Sequence, residues 1–156
     1  MPDPDLIPNH QMVPTAPLAE GETLLESFPA DRATYVRDHA AMAAVAMAGG
    51  MIVLWLLGNP YLWTGAVGGL AAIAVRGFYL ASEDLSARWD LTDRRLLGPM
   101  GRIVPLASIA QIRALGSAVQ IVTTGGDKHL IKYQANKDTT RRAIARAAGL
   151  PQEGTA

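Results

Sequence analysis

The longest uncharged stretch of this 156-residue chain, residues 40–75, constrains its fold more than any other feature. These 36 residues read AAMAAVAMAGGMIVLWLLGNPYLWTGAVGGLAAIAV. Gly58, Asn59 and Pro60 interrupt the run near its middle, and residues of these types favour a tight turn. The pattern predicts two apolar helices joined by a short turn.

The lengths of the two apolar segments predict that both helices span a membrane. Residues 40–57 extend about 27 Å as a helix at ~1.5 Å per residue, close to the roughly 30 Å of a bilayer core. Residues 61–82 are long enough, and Arg76 lies near the end of this segment, where its aliphatic stem reaches towards the headgroups. The alternative is a buried hairpin of a soluble protein, but such helices carry a polar stripe on their outward face. Residues 40–75 have no such stripe.

Positively charged residues flank the predicted hairpin on both sides, whereas the turn carries none. They are Arg32 and Arg37 before the first helix, and Arg76, Arg88, Arg94 and Arg95 within or after the second. Because Lys and Arg are retained on the cytoplasmic side of membranes, both termini are predicted to be cytoplasmic. We therefore expect a two-helix transmembrane hairpin at residues 40–82 with both termini in the cytoplasm.

Small residues recur at a spacing of four in both helices. Ala44 and Ala48 lie in the first helix, and Gly65 and Gly69 lie in the second. Small side chains let helices approach closely in a bilayer. Two interpretations fit this pattern: contact between the two helices of one hairpin, or contact between two copies in a homodimer.

The residues before the hairpin divide into two parts. Residues 1–19 contain five prolines, which interrupt both helices and sheets, so they are predicted to be a disordered leader. Within residues 20–39, a short run that ends at Pro29 is typical of an edge strand. The rest of that segment, 30–39, is predicted to be a short interfacial helix.

After the hairpin, residues 86–150 change to short strands with turns between them, followed by one helix. The predicted strands are 87–92, 95–99, 102–106, 109–115, 118–124 and 128–133. The helix is predicted at 137–148, with Asn136 as its N-cap and Gly149 after its end. Its buried face is predicted to hold Thr140, Ile144, Ala147 and Ala148, and its water- or membrane-facing side Arg141, Arg142 and Arg146. The fold class is therefore a transmembrane α-helical hairpin plus a small α+β domain, with a tail at 151–156.

Four features of the chain, which together cover residues 20–148, occur in a characteristic order. They are Glu20-Gly21-Glu22-Thr23-Leu24-Leu25 before the hairpin, Trp89-x-Leu91-Thr92-x-x-Arg95-Leu96-Leu97 after it, Val104-Pro105-Leu106-x-x-Ile109-x-x-Ile112, and a glycine-containing β-hairpin before the terminal helix. In these features the chain resembles the bacterial PH-like domain family of membrane proteins (the DUF304 or YdbS-like group). A family of photosynthetic-complex assembly proteins carries a similar β-domain.

The resemblance implies a PH-like fold, a bent antiparallel sheet closed at one end by the C-terminal helix. It also implies a location in the inner (cytoplasmic) membrane of a bacterium. This chain departs from the family in its short loops at 98–101 and 116–117. One strand is therefore either missing or supplied by residues 22–28.

Charge is distributed unevenly along the chain. Residues 1–39 have a net charge of −5 and residues 86–150 a net charge of +7. Either the acidic segment meets the C-terminal domain, or that domain faces an anionic surface. Five cations near turns are candidates for contact with anionic lipid headgroups or a partner: Arg94, Arg95, Arg102, Lys128 and Lys132. The alternative is that they are solvated and satisfy only the cytoplasmic excess of positive charge.

Sequence features of enzymes and of metal or cofactor sites are lacking. The chain has no cysteine, and its three histidines are far apart in sequence, so no metal site is predicted. The run Gly125-Gly126-Asp127-Lys128 lacks the spacing of a phosphate-binding loop and is predicted to be a turn. No aromatic residues alternate with the basic ones, which argues against nucleic-acid binding. We predict no catalytic residue and no cofactor.

These patterns predict a non-enzymatic integral membrane protein that acts by protein–protein interaction. We expect an adaptor or assembly factor for another membrane protein or complex. The alternative is a resident accessory subunit of a larger photosynthetic or respiratory membrane complex.

Overall fold

Seven strands and three α-helices make up residues 12–152, the part of the chain that the computed structural model describes. In chain order they are β1 (Leu24–Pro29), α1 (Arg32–Leu56), α2 (Leu62–Ser86), β2 (Arg88–Thr92), β3 (Arg95–Leu97), β4 (Ile103–Pro105), β5 (Ile109–Leu115), β6 (Ala118–Thr123), β7 (Lys128–Ile131) and α3 (Lys137–Ala147). The chain divides into two compact units. We call Arg32–Ser82 the hairpin and the remainder the β-domain.

The strands of the β-domain form two antiparallel sheets. The first sheet has four strands in the order β1-β2-β3-β4, and the second has three in the order β5-β6-β7. Strand β5 occupies the predicted range, Ile109–Leu115, and glycines close the turns on either side of β6. The predicted combination of two long apolar helices, small antiparallel sheets and a C-terminal helix is present.

Strand β1 lies at the edge of the first sheet, and the whole hairpin is inserted between it and its neighbour β2. Pro29 pairs with Arg88 and Phe28 with Trp89. Just beyond the strands, Ala30 N donates a hydrogen bond to Ala87 O at 3.1 Å. The chain thus leaves the sheet at the end of β1 and returns beside the same point. Residues before the hairpin therefore supply one strand of the β-domain.

Apolar side chains from both sheets and from α3 form one core. Strand β6 shows the alternation that produces it, because Val119 and Ile121 are fully buried while Gln120 and Val122 are half-buried. Full burial of a side chain of this size contributes about 1.5–3 kcal/mol. The core comprises Phe28, Trp89, Leu91, Leu96, Val104, Leu106, Ile109, Val119, Ile121, Ile131 and Ile144.

A buried amide joins the two sheets to α3. Gln134 Nε2 donates to Pro29 O at 3.3 Å, and Gln134 Oε1 accepts from Thr140 Oγ1 at 2.9 Å. The backbone N of Gln134 donates to Ser117 O at 2.9 Å. Gln134 therefore connects the end of β1 and the first turns of α3 through its side chain, and the β5–β6 turn through its backbone.

Helix α1 is continuous from Arg32, so the segment 30–39, predicted as a short interfacial helix, provides the first turns of α1. No glycine or proline occurs between Arg32 and Ala48, and the segment is rich in alanine, the strongest helix former. The helix ends at Leu56, where Gly58 adopts the left-handed conformation with φ 68°. Helix α2 begins after Pro60, and Tyr61 N donates to Asn59 Oδ1 at 2.8 Å within the turn.

Glycines of α2 touch the backbone of α1. A Cβ on Gly65 would overlap Gly50, and a Cβ on Gly69 would overlap Ala46. Ala44 and Ala48, predicted to form the packing face of α1, are instead exposed. The helical phase explains the difference, because Ala46 and Gly50 lie on the face of α1 that turns towards α2.

The outward faces of the hairpin are apolar and exposed. Leu57 is 74% exposed and Phe78 82%. Val45, Ile52, Val53, Trp55, Trp63, Val67 and Val75 are also exposed. Both helices are 25 residues long and apolar enough to cross a membrane. Few of their residues are buried, namely Thr34, Tyr35 and Ala43 in α1 and Gly77 in α2.

Candidate functional site

An ion pair joins the acidic segment before β1 to the basic β-domain. Glu22 is inaccessible to solvent, and its carboxylate accepts from Arg95 Nε and from Arg95 NH2, each at 2.8 Å. Thr92 Oγ1 donates to Glu22 Oε1 at 2.6 Å, and Ala19 N donates to Glu22 Oε2 at 2.7 Å. The acidic segment therefore meets the C-terminal domain, one of the two arrangements that the uneven charge suggested.

The electrostatics of this pair follow from its hydrogen bonds. Those from Arg95, then Thr92 and then Ala19 N lower the pKa of Glu22 from 4.5 to about 2. The same ion pair raises the pKa of Arg95. Arg95 is thus committed to a structural contact with the segment that leads into β1.

Part of the predicted leader rests on the first sheet. Arg88 N donates to Met12 O at 2.9 Å, and Arg95 NH2 donates to Pro17 O at 2.7 Å. Residues 1–11 of the leader lie outside the described residues. The sequence did not predict these contacts of residues 12–19 with β2 and β3. Each contact is made by one backbone carbonyl, and isolated backbone contacts leave no periodic pattern in a sequence.

The five cations proposed from the sequence have different surroundings. Arg95 is paired with Glu22, and Lys132 Nζ lies 3.4 Å from Asp84 Oδ1. Arg94 NH2 donates to Gly21 O at 3.4 Å. Arg102 and Lys128 are exposed. Contacts within the β-domain therefore occupy three of the five guanidinium or ammonium groups.

Arg102 and Lys128 both lie near His129 on β7. Burial, and then the charge of Arg102, lower the pKa of His129. The imidazole lies edge-on to Trp89, with 6.0 Å between ring centroids. The turn before β4 thus comes close to the start of β7.

A groove between β5 and α3 was not predicted from the sequence. It encloses about 740 Å³, within the range of ligand sites, ~300–1,000 Å³. The helix contributes residues at a spacing of three and four, which places them on one face. The lining residues are Ala110, Gln111 and Ile112 of β5, Asp138, Arg141, Arg142 and Ala145 of α3, and Leu150, Pro151 and Gln152 beyond it.

Two arginines of α3 line this groove. Arg142 Nε donates to the backbone carbonyl of Asp138 at 3.2 Å. The Nε of Arg141 is buried and has no hydrogen-bond partner in the described chain. The prediction that Arg141 faces water or membrane is therefore wrong, since the side chain is half-buried at the groove. Arg142 and Arg146 are exposed, as predicted, and Thr140 and Ile144 are buried.

Strand β5 presents a free edge at the groove. Leu115 and Ala118 are partners across the two-residue turn Gly116-Ser117, which makes them a hydrogen-bonded pair. Residues alternate along an antiparallel strand, so Ala114 and Ile112 turn their backbone N–H and C=O groups away from β6. Strand β5 is the edge of its sheet, and no other described strand pairs with that side.

The carboxylates near β2 serve structural contacts. Ser27 Oγ and Arg88 NH2 donate to Asp90 at 2.7 and 3.1 Å, and Thr23 N donates to Asp93 Oδ1 at 3.0 Å. Within residues 12–152, no three His, Asp or Glu side chains are grouped as metal ligands would be.

Comparisons of the chain with protein-family models, with characterised proteins and with solved structures find no match. Two surfaces of the described chain are suited to binding. One is the apolar surface of the hairpin, and the other is the groove with its free strand edge and two guanidinium groups.

Proposed function

We propose that this chain is an integral membrane protein of the bacterial inner membrane that acts as an adaptor or assembly factor for another membrane protein or complex. The observation that carries the proposal is the insertion of an apolar hairpin between two hydrogen-bonded strands, β1 and β2. Such an insertion ties the β-domain to the bilayer at both ends of the hairpin. The hairpin anchors the domain, and the domain binds the partner.

The apolar outer faces of α1 and α2 support membrane insertion. A contiguous apolar surface of this extent is unfavourable in water, at about 25 cal/mol per Å² of exposed apolar area. In a bilayer the same faces meet lipid, and the glycine contacts between the helices provide the close approach typical of membrane helices.

The architecture of the β-domain supports the PH-like fold that the family resemblance implies. A four-stranded and a three-stranded antiparallel sheet share one core with a C-terminal helix. Strand β1 adds to this support, because residues before the hairpin supply one strand of the first sheet.

The arginines that flank the hairpin on both sides support a cytoplasmic position of both termini. A cytoplasm-active reporter fused after Ala156 should be active, whereas a periplasm-active reporter at the same position should be silent. The matched control is a fusion within the turn at Asn59, which should show the reverse. Activity of the periplasmic reporter after Ala156 would contradict the topology.

Native-gel migration after extraction in mild detergent tests the adaptor role. An adaptor should co-migrate with its partner in substoichiometric amounts and only in part of the population. A fixed stoichiometry in a single complex would instead identify a resident accessory subunit. Migration of the chain alone, under conditions that preserve other membrane complexes, would contradict both.

A further inference from the structure

We propose that the groove between β5 and α3 binds an extended, acidic peptide segment, which adds as a strand to the free edge of β5. This inference rests on the proposed adaptor function only in placing that segment on the partner protein. The free strand edge, the apolar floor and the half-buried Arg141 guanidinium each contribute one requirement of the ligand.

The free edge requires an extended backbone. The outward N–H and C=O groups of Ile112 and Ala114 are spaced for pairing with a strand, and addition of a strand satisfies them without movement of the sheet. An unpaired edge next to a groove readily accepts another chain. Small residues, Ala110 and Ala114, leave room for the approach of that backbone.

The groove floor requires apolar side chains at alternate positions. Ile112 and Leu150 are partly buried against the core, and Ala145 is buried. Alternate residues of an added strand point to the same side, so every second side chain of the ligand faces this floor. The ligand is therefore expected to carry aliphatic residues with a period of two.

Arg141 requires a carboxylate. Its guanidinium lines the groove and is half-buried, and a partly buried positive charge is stabilised by an opposite charge beside it. A carboxylate satisfies a guanidinium with two parallel hydrogen bonds. Arg142 adds a second positive charge on the same wall, whereas Asp138 disfavours a ligand with acidic residues throughout. One acidic residue beside aliphatic ones fits this wall.

The test uses the full chain in nanodiscs of phosphatidylcholine, which carries no net charge. A displayed library of random nine-residue segments is selected on it, and the enriched segments are synthesised as blocked peptides for fluorescence anisotropy. Enrichment of alternating aliphatic residues with a glutamate or aspartate is the expected result. Failure to enrich any segment, or enrichment of basic ones, would overturn the proposal.

Variants assign the binding to the groove. Arg141→Gln should weaken the selected peptide by about tenfold or more, since a charged hydrogen bond is lost. The matched control Arg146→Gln, on the same helix but outside the groove, should change affinity less than about twofold. Ala110→Glu, at an exposed position, should also weaken binding by repulsion, and its melting temperature shows whether the fold persists. Equal affinity of Arg141→Gln and the wild type would refute the assignment.

Backbone methylation distinguishes strand addition from capture of any anion. Methylation of the peptide nitrogens that face β5 should abolish binding, whereas methylation of the intervening nitrogens should preserve it. The two methylation patterns could instead change the peptide affinity equally, and inorganic phosphate or phosphatidylglycerol vesicles could displace the peptide. That result would show a site for an anion or a lipid headgroup and would refute strand addition. If the chain binds no peptide but still co-migrates with a partner on native gels, the proposal for the groove is refuted and the adaptor role is not.

Discussion

Glu22 shows how one residue connects a non-periodic segment to the sheet. Its carboxylate is held by Arg95, Thr92 and the backbone of Ala19, and it has no access to solvent. The arrangement orders the chain just before β1. This contact therefore lies at the start of the strand that leads into the hairpin.

Glu22→Gln should make stability less dependent on pH in the acid range. The pKa of Glu22 is lowered to about 2 from 4.5, so the carboxylate stabilises the fold fully above about pH 4.5 and loses this contribution as the pH falls towards 2. Urea unfolding between pH 2 and 7 measures the effect. The variant should be less stable than the wild type at pH 7, and the two should converge at low pH.

Glu26→Gln is the matched control for this prediction. Glu26 is an exposed carboxylate on β1, four residues from Glu22. Its replacement should leave the pH dependence of the wild type unchanged. If Glu22→Gln retained the wild-type loss of stability in acid, another carboxylate would be responsible.

Gly98→Ala should destabilise the β-domain by about 1–3 kcal/mol, the usual cost of overpacking a rigid site. A Cβ at Gly98 would lie 2.5–2.6 Å from the six-membered ring of Trp89, which is buried in the core. Thermal unfolding measures the loss. Gly125→Ala is the control, because its Cβ would have no neighbour closer than 3.8 Å. Equal melting temperatures of the two variants would contradict the close contact at Trp89.

At the scale of elements, the two long helices are joined by glycines whose role depends on helical phase. Gly68 and Gly69 are adjacent, yet only Gly69 faces α1. Tyr35 extends the same contact towards the other end of the hairpin, since its hydroxyl donates to Gly77 O at 2.7 Å. Contact within one hairpin therefore accounts for the glycines that a homodimer also explained.

Gly69→Leu should lower the melting temperature in detergent, because its side chain would overlap the backbone of Ala46 and separate the helices. The expected loss is about 1–3 kcal/mol. Gly68→Leu is a sharp control, since a Cβ there meets nothing within 4 Å. Size-exclusion chromatography of both variants distinguishes the alternatives: a change of oligomer size without a change of stability would favour homodimer contact. An unchanged melting temperature and size would contradict both.

At the scale of the whole molecule, the β-domain is interrupted in sequence between β1 and β2 by residues 30–87, and the chain returns beside the end of β1. Both ends of this interruption are held by the same pair of strands. The β-domain therefore needs no residue of the hairpin to complete its core, since every member of that core lies outside Arg32–Ser82.

Replacement of residues 32–86 by a short asparagine–glycine turn should give a soluble, folded β-domain. Pro29 and Arg88 are already partners, so a tight turn can join β1 to β2. Circular dichroism and a cooperative thermal transition measure the outcome. The control deletes residues 1–86, which removes β1 together with the hairpin and should aggregate or unfold. Aggregation of the variant that keeps β1 would contradict the independence of the β-domain.

The sequence alone predicts the elements whose signals are local. An uncharged run predicts α1 and α2, alternation and glycine turns predict β5, β6 and β7, and Asn136 predicts the start of α3, where its side chain accepts from Thr139 N at 3.1 Å. The uneven charge suggests contact of the acidic segment with the basic domain as one of two alternatives, the other being an anionic surface. Each of these signals extends over a turn of helix or a strand, so no knowledge of distant residues is needed.

Only the tertiary structure decides which distant residues meet. Glu22 and Arg95 are 73 positions apart, and the strand partners Pro29 and Arg88 are separated by the whole hairpin. The groove likewise combines an edge strand with one face of α3. The sequence therefore predicts a solvated Arg141, whereas the side chain is half-buried in the fold. Periodicity sets which face of an element is apolar, but pairing and phase between elements depend on contacts that no local pattern encodes.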